Sequence, residues 1–199
     1  MKTIDFIFDF ASPNAYLAYK ALPPVLERTG AELNIIPCLL GGIFKLTGNE
    51  APWLKYANVK GPNDYAMLEM RRFIEKHRFT KFRINPHFPP NTLLLMRALV
   101  AADAEGVKTP FVEAGLAAMW EEERNMSEPA VIADVLKRAG LDADTLLQRA
   151  QEAPAKEQLA ANTSRAVDRG AFGVPTFFVG DEMFFGKERL GQIEELLAA

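Results

Sequence analysis

The sequence predicts an α/β fold: one sheet whose two halves are separated by a long all-helical insertion between the second and third strands. Three observations carry this. Thr3 to Phe10 alternates like a strand, runs into a helix-like stretch from Pro13, and is followed by a second strand-like stretch, Glu32 to Pro37. Residues 40–168 show helical periods and no strand-like run. Near the C-terminus, GVPTFFVGDEMFFG has the proline, apolar runs and Gly-Asp turn of a strand pair.

The first strand places Ile4, Phe6, Phe8 and Phe10 on one face and Thr3, Asp5, Ile7 and Asp9 on the other, as a period of two requires. Ser12 then stands where a helix N-cap is expected, with Pro13 at the first helical position. Serine accepts from an orphan N–H, and proline has no N–H to leave unpaired. Gly30 is the expected stop of that helix. A strand–helix–strand crossover makes the first two strands parallel.

Gly41-Gly42 and the stretch from Gly48 to Gly61 read as loop. Asn63 to Phe79 reads as a helix on the spacing of Tyr65, Leu68, Phe73 and Ile74, and Arg83 to Pro90 as a proline-rich loop. Asn91 is the expected cap of a helix ended by Gly106. Pro110 opens a helix running to Arg124; Ser127 and Pro129 open the next, closed by Gly140; Asp142 to Gln151 and Pro154 to Arg169 follow. Thr176 to Val179 and Glu182 to Phe185 flank Gly180-Asp181 as a hairpin. Lys187 to Ala198 is the last helix, with Leu190, Ile193, Leu196 and Leu197 as its apolar face.

With 199 residues, 49% of them hydrophobic, the chain has ample material for a core. A net charge of −3 predicts no bulk attraction to nucleic acid. No apolar run approaches the ~18 residues of a membrane span. The first residues lack a basic segment leading into an apolar one, so no signal peptide is expected. A single cysteine, Cys38, excludes an internal disulfide and fits a reducing cytoplasm. Ending a strand, it reads as buried and inert.

Strand, turn and helix, answered far downstream by a Val-Pro-Thr strand, make the thioredoxin layout. The expected division is a thioredoxin-like domain, residues 1–39 and 169–199, with an inserted helical domain, residues 40–168. The helix start that normally carries two cysteines here reads Ser12-Pro13-Asn14-Ala15. Dithiol redox chemistry is therefore excluded, but another molecule's thiol is not. A helix N-terminus favours negative charge and lowers a thiol pKa, and the Ser12 hydroxyl is placed to donate to a bound thiolate. Taken alone, the same residue reads first as an ordinary N-cap. Val174-Pro175 is expected to be cis, leaving Val174 to offer its backbone to a peptide-like ligand; the alternative is a structural proline opening a strand. In Phe185-Gly186-Lys187-Glu188, glycine permits close backbone approach and Glu188 suits an ammonium group. Otherwise these charges are a solvated first turn.

These segments resemble the 2-hydroxychromene-2-carboxylate isomerase family, thioredoxin-superfamily enzymes close to kappa-class glutathione transferases. The carrying residues are Asp9-Phe10-Ala11-Ser12-Pro13-Asn14-Ala15-Tyr16-Leu17-Ala18, then Gly173-Val174-Pro175-Thr176, then Gly180 to Gly186. The resemblance implies glutathione as cofactor, Ser12 as catalytic serine, and Val174 and Pro175 beside the bound tripeptide. It sets Phe185, Gly186, Lys187 and Glu188 around the γ-glutamyl group. The family often has Asn or Ser then Asp where this chain has Lys187 and Glu188, which keeps the acid but lengthens it. On the substrate side, the resemblance points to Lys45, with Asn49 and Trp53 nearby, and to Phe88 as an aromatic that closes over the substrate. It implies a small aromatic carboxylate as substrate, an aromatic-catabolic pathway and a homodimer.

Two other readings stand beside this one: a kappa-like transferase that conjugates electrophiles, and a binding module without catalysis. The basic run Arg71, Arg72, Lys76, His77, Arg78, Lys81 and Arg83 is either a steering field for an anion or a solvated helix face. His77 and His87 lack partners at metal-ligand spacing, so no metal site is expected.

Overall fold

The computed structural model describes residues 2–198. Its sheet has the order β2-β1-β3-β4, built from β1 (Thr3–Phe8), β2 (Glu32–Pro37), β3 (Thr176–Val179) and β4 (Glu182–Phe185). β1 pairs in parallel with β2 and antiparallel with β3, and β3 pairs antiparallel with β4. The fold is the thioredoxin-like α/β arrangement that the sequence predicts.

β1 is central. Ile4, Phe6, Ile7 and Phe8 are buried on both of its faces. The Phe6 ring stacks on Phe177 at 4.8 Å, and Phe8 meets Phe10 edge-on at 4.9 Å. The face carrying Ile7 and Asp9 is covered by the insertion, so alternation in β1 marks two buried faces. The strand ends at Phe8, two residues before the expected end, because Asp9 and Phe10 turn away into the start of α1.

The stretch expected as one helix is two, α1 (Pro13–Ala21) and α2 (Pro23–Thr29). Pro23 and Pro24 have no N–H to continue the ladder, which breaks it at Leu22. Gly30, at φ 65°, closes α2 as expected.

Between β2 and β3 lie only helices: α3 (Leu40–Thr47), α4 (Pro52–Lys55), α5 (Pro62–His77), α6 (Leu93–Ala104), α7 (Lys108–Trp120), α8 (Pro129–Arg138), α9 (Ala143–Arg149) and α10 (Ala153–Asp168). The first two occupy stretches expected as loop. α3 forms despite Gly41-Gly42 because it packs against α10. A Cβ on Gly42 would stand 3.1 Å from the Thr163 methyl, so glycine permits that approach. α7 stops at Trp120, four residues short of the expected Arg124. Thr92, not Asn91, occupies the N-cap position of α6, although the Asn91 carboxamide does accept from Leu93 N–H at 3.1 Å. The last helix begins with a 3₁₀ turn, Lys187–Arg189, before α11 (Leu190–Ala198). On α11, Leu190, Ile193 and Leu197 are buried while Leu196 is exposed. No helix is long and apolar enough to cross a membrane among the described residues.

Candidate active site

Ser12 is the N-cap of α1, in extended backbone with φ −94° and ψ 115°. Its hydroxyl oxygen accepts from Ala15 N–H at 3.2 Å. Its single proton goes to the Val174 carbonyl at 3.0 Å. One side chain therefore bridges the helix start and the loop before β3. Ser12 is only 5% exposed. α1 has no acid in its first turn, so nothing there offsets the positive end of its dipole.

The Val174-Pro175 bond is cis, as expected, and so is Phe88-Pro89. Pro175 C=O accepts from Gly186 N–H at 3.0 Å, and the Thr176 hydroxyl donates to Gly173 C=O at 2.8 Å. A Cβ on Gly173 would lie 3.0 Å from the Phe185 ring, so glycine lets that ring sit close against the loop. Phe185 packs on Phe172 with ring centroids 4.4 Å apart, and both rings are partly exposed. Asn49 donates its amide to Phe172 C=O at 3.0 Å. The loop before Pro175 is thus joined to Ser12, Asn49, Phe185 and Gly186.

The other predicted residues fall into separate groups. Trp53 on α4 meets Phe88 at 6.0 Å, and Phe88 meets Trp120 at 6.2 Å. Trp53 is 42% exposed. Lys45 lies in the last turn of α3, exposed, with no ion pair among the described residues. Lys187 is 4% exposed; its ammonium pairs with Glu188 and lies 5.4 Å from the Phe73 ring centre. Lys187 and Glu188 line a cleft of about 530 Å³ with Arg28, Arg72, Lys76 and His77, and neither Ser12 nor Val174 lines it. Part of the basic run on α5 therefore faces a cleft beside the turn after β4.

Asp9 is a residue whose role the sequence pattern hid. Its side chain is 0% exposed. One oxygen accepts from Ala11 N–H at 2.9 Å and from the Thr92 hydroxyl at 2.8 Å, and the other from Leu40 N–H at 2.7 Å. Burial raises its pKa above the ordinary carboxylate value, against the three hydrogen bonds, which lower it. The available signal was a lone acid between two phenylalanines at the end of an apolar strand. Phe172 was also missed, although it stands in the same Ala-Phe-Gly-Val-Pro segment as Val174. Cys38 is buried, with its thiol pushed up to about 12 mainly by that burial, so it is a poor nucleophile. The Asn14 amide oxygen, two residues after Ser12, is buried without a hydrogen-bond partner among the described residues.

A hydroxyl and an unopposed helix N-terminus beside a cis-proline loop make a site for a soft anion next to a peptide-like group. Comparison with known proteins places the chain in a family. The chain is 28% identical over 98% of its length to 2-hydroxychromene-2-carboxylate isomerase from Sphingobium xenophagum, covering 98% of that protein. It is 26% identical to human glutathione S-transferase kappa 1, covering 98% of this chain and 91% of the relative. A solved 2-hydroxychromene-2-carboxylate isomerase superposes with a TM-score of 0.84 at 26% identity, covering 98% of this chain and 94% of the other. The family model for the DSBA-like thioredoxin domain matches residues 3–198, and the chain belongs to that family.

Proposed function

We propose that the protein is a glutathione-dependent cis–trans isomerase that interconverts 2-hydroxychromene-2-carboxylate and trans-o-hydroxybenzylidenepyruvate. The observation that carries this reading is the Ser12 hydroxyl held between the N-terminus of α1 and the Val174 carbonyl. The residues fit a thiol tripeptide. Ser12 supplies a hydroxyl donor, Val174 a backbone to pair with, and α1 carries no acid in its first turn. Asp9, three residues upstream, is shifted toward its neutral form by burial and so opposes an incoming anion less than an ordinary carboxylate would.

When bound, glutathione supplies a thiolate that adds reversibly to the conjugated enone and lets the former double bond rotate. The chain's own part is an exchange of partners. The Ser12 proton leaves the Val174 carbonyl for the sulfur, and that carbonyl is freed to accept an N–H of the ligand. Hydrogen bonds are thereby conserved, which lowers the cost of loading the site. Phe185, Gly186, Lys187 and Glu188 hold the γ-glutamyl end, where Glu188 must exchange Lys187 for the ligand's ammonium. Lys45 meets the substrate carboxylate or the developing enolate. Asn49, Trp53 and Phe88 shape the aromatic side. The same reading includes a homodimer, checked by sedimentation, and an aromatic-catabolic role in the cytoplasm.

The test follows 2-hydroxychromene-2-carboxylate by ultraviolet absorbance with and without glutathione, for wild type and Ser12→Ala. Turnover that needs both glutathione and Ser12 supports the reading. Turnover without added glutathione, or undiminished in Ser12→Ala, overturns it. The kappa-class relatives favour conjugation as a second reading, and a thiol assay separates the two, because an isomerase leaves total glutathione unchanged.

A further inference from the structure

A cleft larger than the one beside Lys187 lies away from Ser12. It measures about 820 Å³ and lies between the sheet face carrying Ile7 and Ile36 and helices α6, α9 and α10. None of Ser12, Val174, Pro175, Lys45, Trp53 or Lys187 lines it. Its size is that of a small-molecule pocket. The floor is apolar, from Ile7, Ile36, Val100 and Ala101.

One wall is a polar stripe on α10. Gln158, Asn162, Arg165 and Arg169 are spaced by four, three and four residues, which puts them on one helix face. Asn162 is the fixed post of this wall. It is buried, donates to Pro37 C=O at 3.1 Å, and accepts from Gln158 at 2.7 Å and Arg165 at 2.6 Å. Arg165 is therefore held by a neutral amide. It makes no ion pair among the described residues.

The other two arginines of the cleft are already matched. Arg149 pairs with Glu105. Arg169 pairs with Asp5 at 2.8 Å, donates to Gly180 C=O at 3.0 Å and lies 3.9 Å from the Phe178 ring centre. Of the acids in the lining, Asp103 is neutralised by Lys108 at 3.0 Å. Glu152 has no ion pair among the described residues. The cleft thus offers one guanidinium without an ion pair over an apolar floor, and of the two carboxylates in its lining only Glu152 is left without an ion pair among the described residues.

We propose that this cleft is a second ligand site for a singly charged organic carboxylate with a flat apolar body. The planar fork of Arg165 matches a carboxylate, and the isoleucine and alanine floor takes the body. A phosphate monoester is disfavoured, because its second charge adds to the repulsion from Glu152. The site depends on no part of the glutathione reading.

The probe is 1-naphthoate, titrated by calorimetry at fixed ionic strength. One saturable site is expected, weakened at least tenfold in Arg165→Glu and by less in Arg165→Lys, which keeps the charge and loses the fork. Arg165 is exposed, and circular dichroism of both variants checks that they fold. Saturating S-hexylglutathione is expected to leave the naphthoate affinity within twofold, and 1-naphthyl phosphate to bind more weakly. Absence of saturable binding, equal affinity in Arg165→Glu, displacement by S-hexylglutathione, or tighter binding of the phosphate each overturns the proposal.

Discussion

Ser12 has one proton and two bonds, and each bond has its own cost on removal. As an N-cap its loss costs about 1 kcal/mol of stability. As a donor to developing charge, its loss typically costs about 10²–10³-fold in rate. Ser12→Ala is therefore expected to melt only slightly earlier while glutathione-dependent turnover falls by two orders of magnitude or more. A melting curve and initial rates on the same preparation check this. Asp9 gives a sign as well as a size. Its three partners are all donors, so Asp9→Asn turns an amide N–H toward a donor and is expected to cost about 1–3 kcal/mol. Because burial raises the folded pKa, the folded state keeps a proton that the unfolded chain releases above the ordinary carboxylate value of 3.8. The Asp9 contribution to stability is then fully present at low pH and falls as pH rises from there through the folded pKa. Melting temperature against pH should lose this component in Asp9→Asn. An unchanged profile would show that Asp9 is not raised.

At the scale of elements, α3 is the informative case. Two adjacent glycines in one helix have different surroundings: a Cβ on Gly41 meets nothing within 4 Å, whereas one on Gly42 meets Thr163. Thr163 cannot easily turn aside, because its hydroxyl accepts from Leu39 N–H at 3.0 Å and donates to Leu159 C=O at 2.7 Å. Gly41→Ala is expected to stabilise by about 0.5–1 kcal/mol through helix propensity. Gly42→Ala is expected to gain nothing or lose stability, since the contact opposes the same propensity gain. Denaturant midpoints of the two variants test the difference, and equal shifts would remove the packing account of α3.

The whole molecule is organised around the turn from Asp9 to Ala11. Three parts of the insertion grip it: the first N–H of α3 and the cap residue of α6 through Asp9, and Trp120 of α7, whose indole donates to Phe10 C=O at 3.0 Å. α7 also presses on this turn through Gly115, where a Cβ would stand 2.6 Å from the Phe10 ring. Gly115→Ala must move a buried ring and is expected to cost about 1–3 kcal/mol. The displacement reaches Ser12 two residues on, so turnover should fall with stability. A melting temperature equal to wild type would show that the ring has room. Because Trp120 lies in the insertion and bonds to the turn after β1, tryptophan fluorescence and far-ultraviolet dichroism are expected to report one unfolding transition.

What the sequence determined by itself is local. Ser12-Pro13 sets the start of α1, Gly30 the end of α2, and the alternation and turn residues set β1, β3 and β4, because each depends on neighbours a few positions away. The Val174-Pro175 geometry and its link to the α1 start were legible only because two end motifs belong to one layout. Tertiary structure alone decided the rest. Ser12 meets Val174 across 162 residues, and Asp9 meets Thr92 across 83. α3 exists because packing against α10 overrides two glycines. Lys187 is buried under Phe73 although its sequence reads as a solvated turn. The cleft of Arg165 needs two strands, three helices and a neutral amide to leave one guanidinium uncompensated. Periodicity reports which face of an element is buried; only the fold reports what that face meets, and chemistry depends on the meeting.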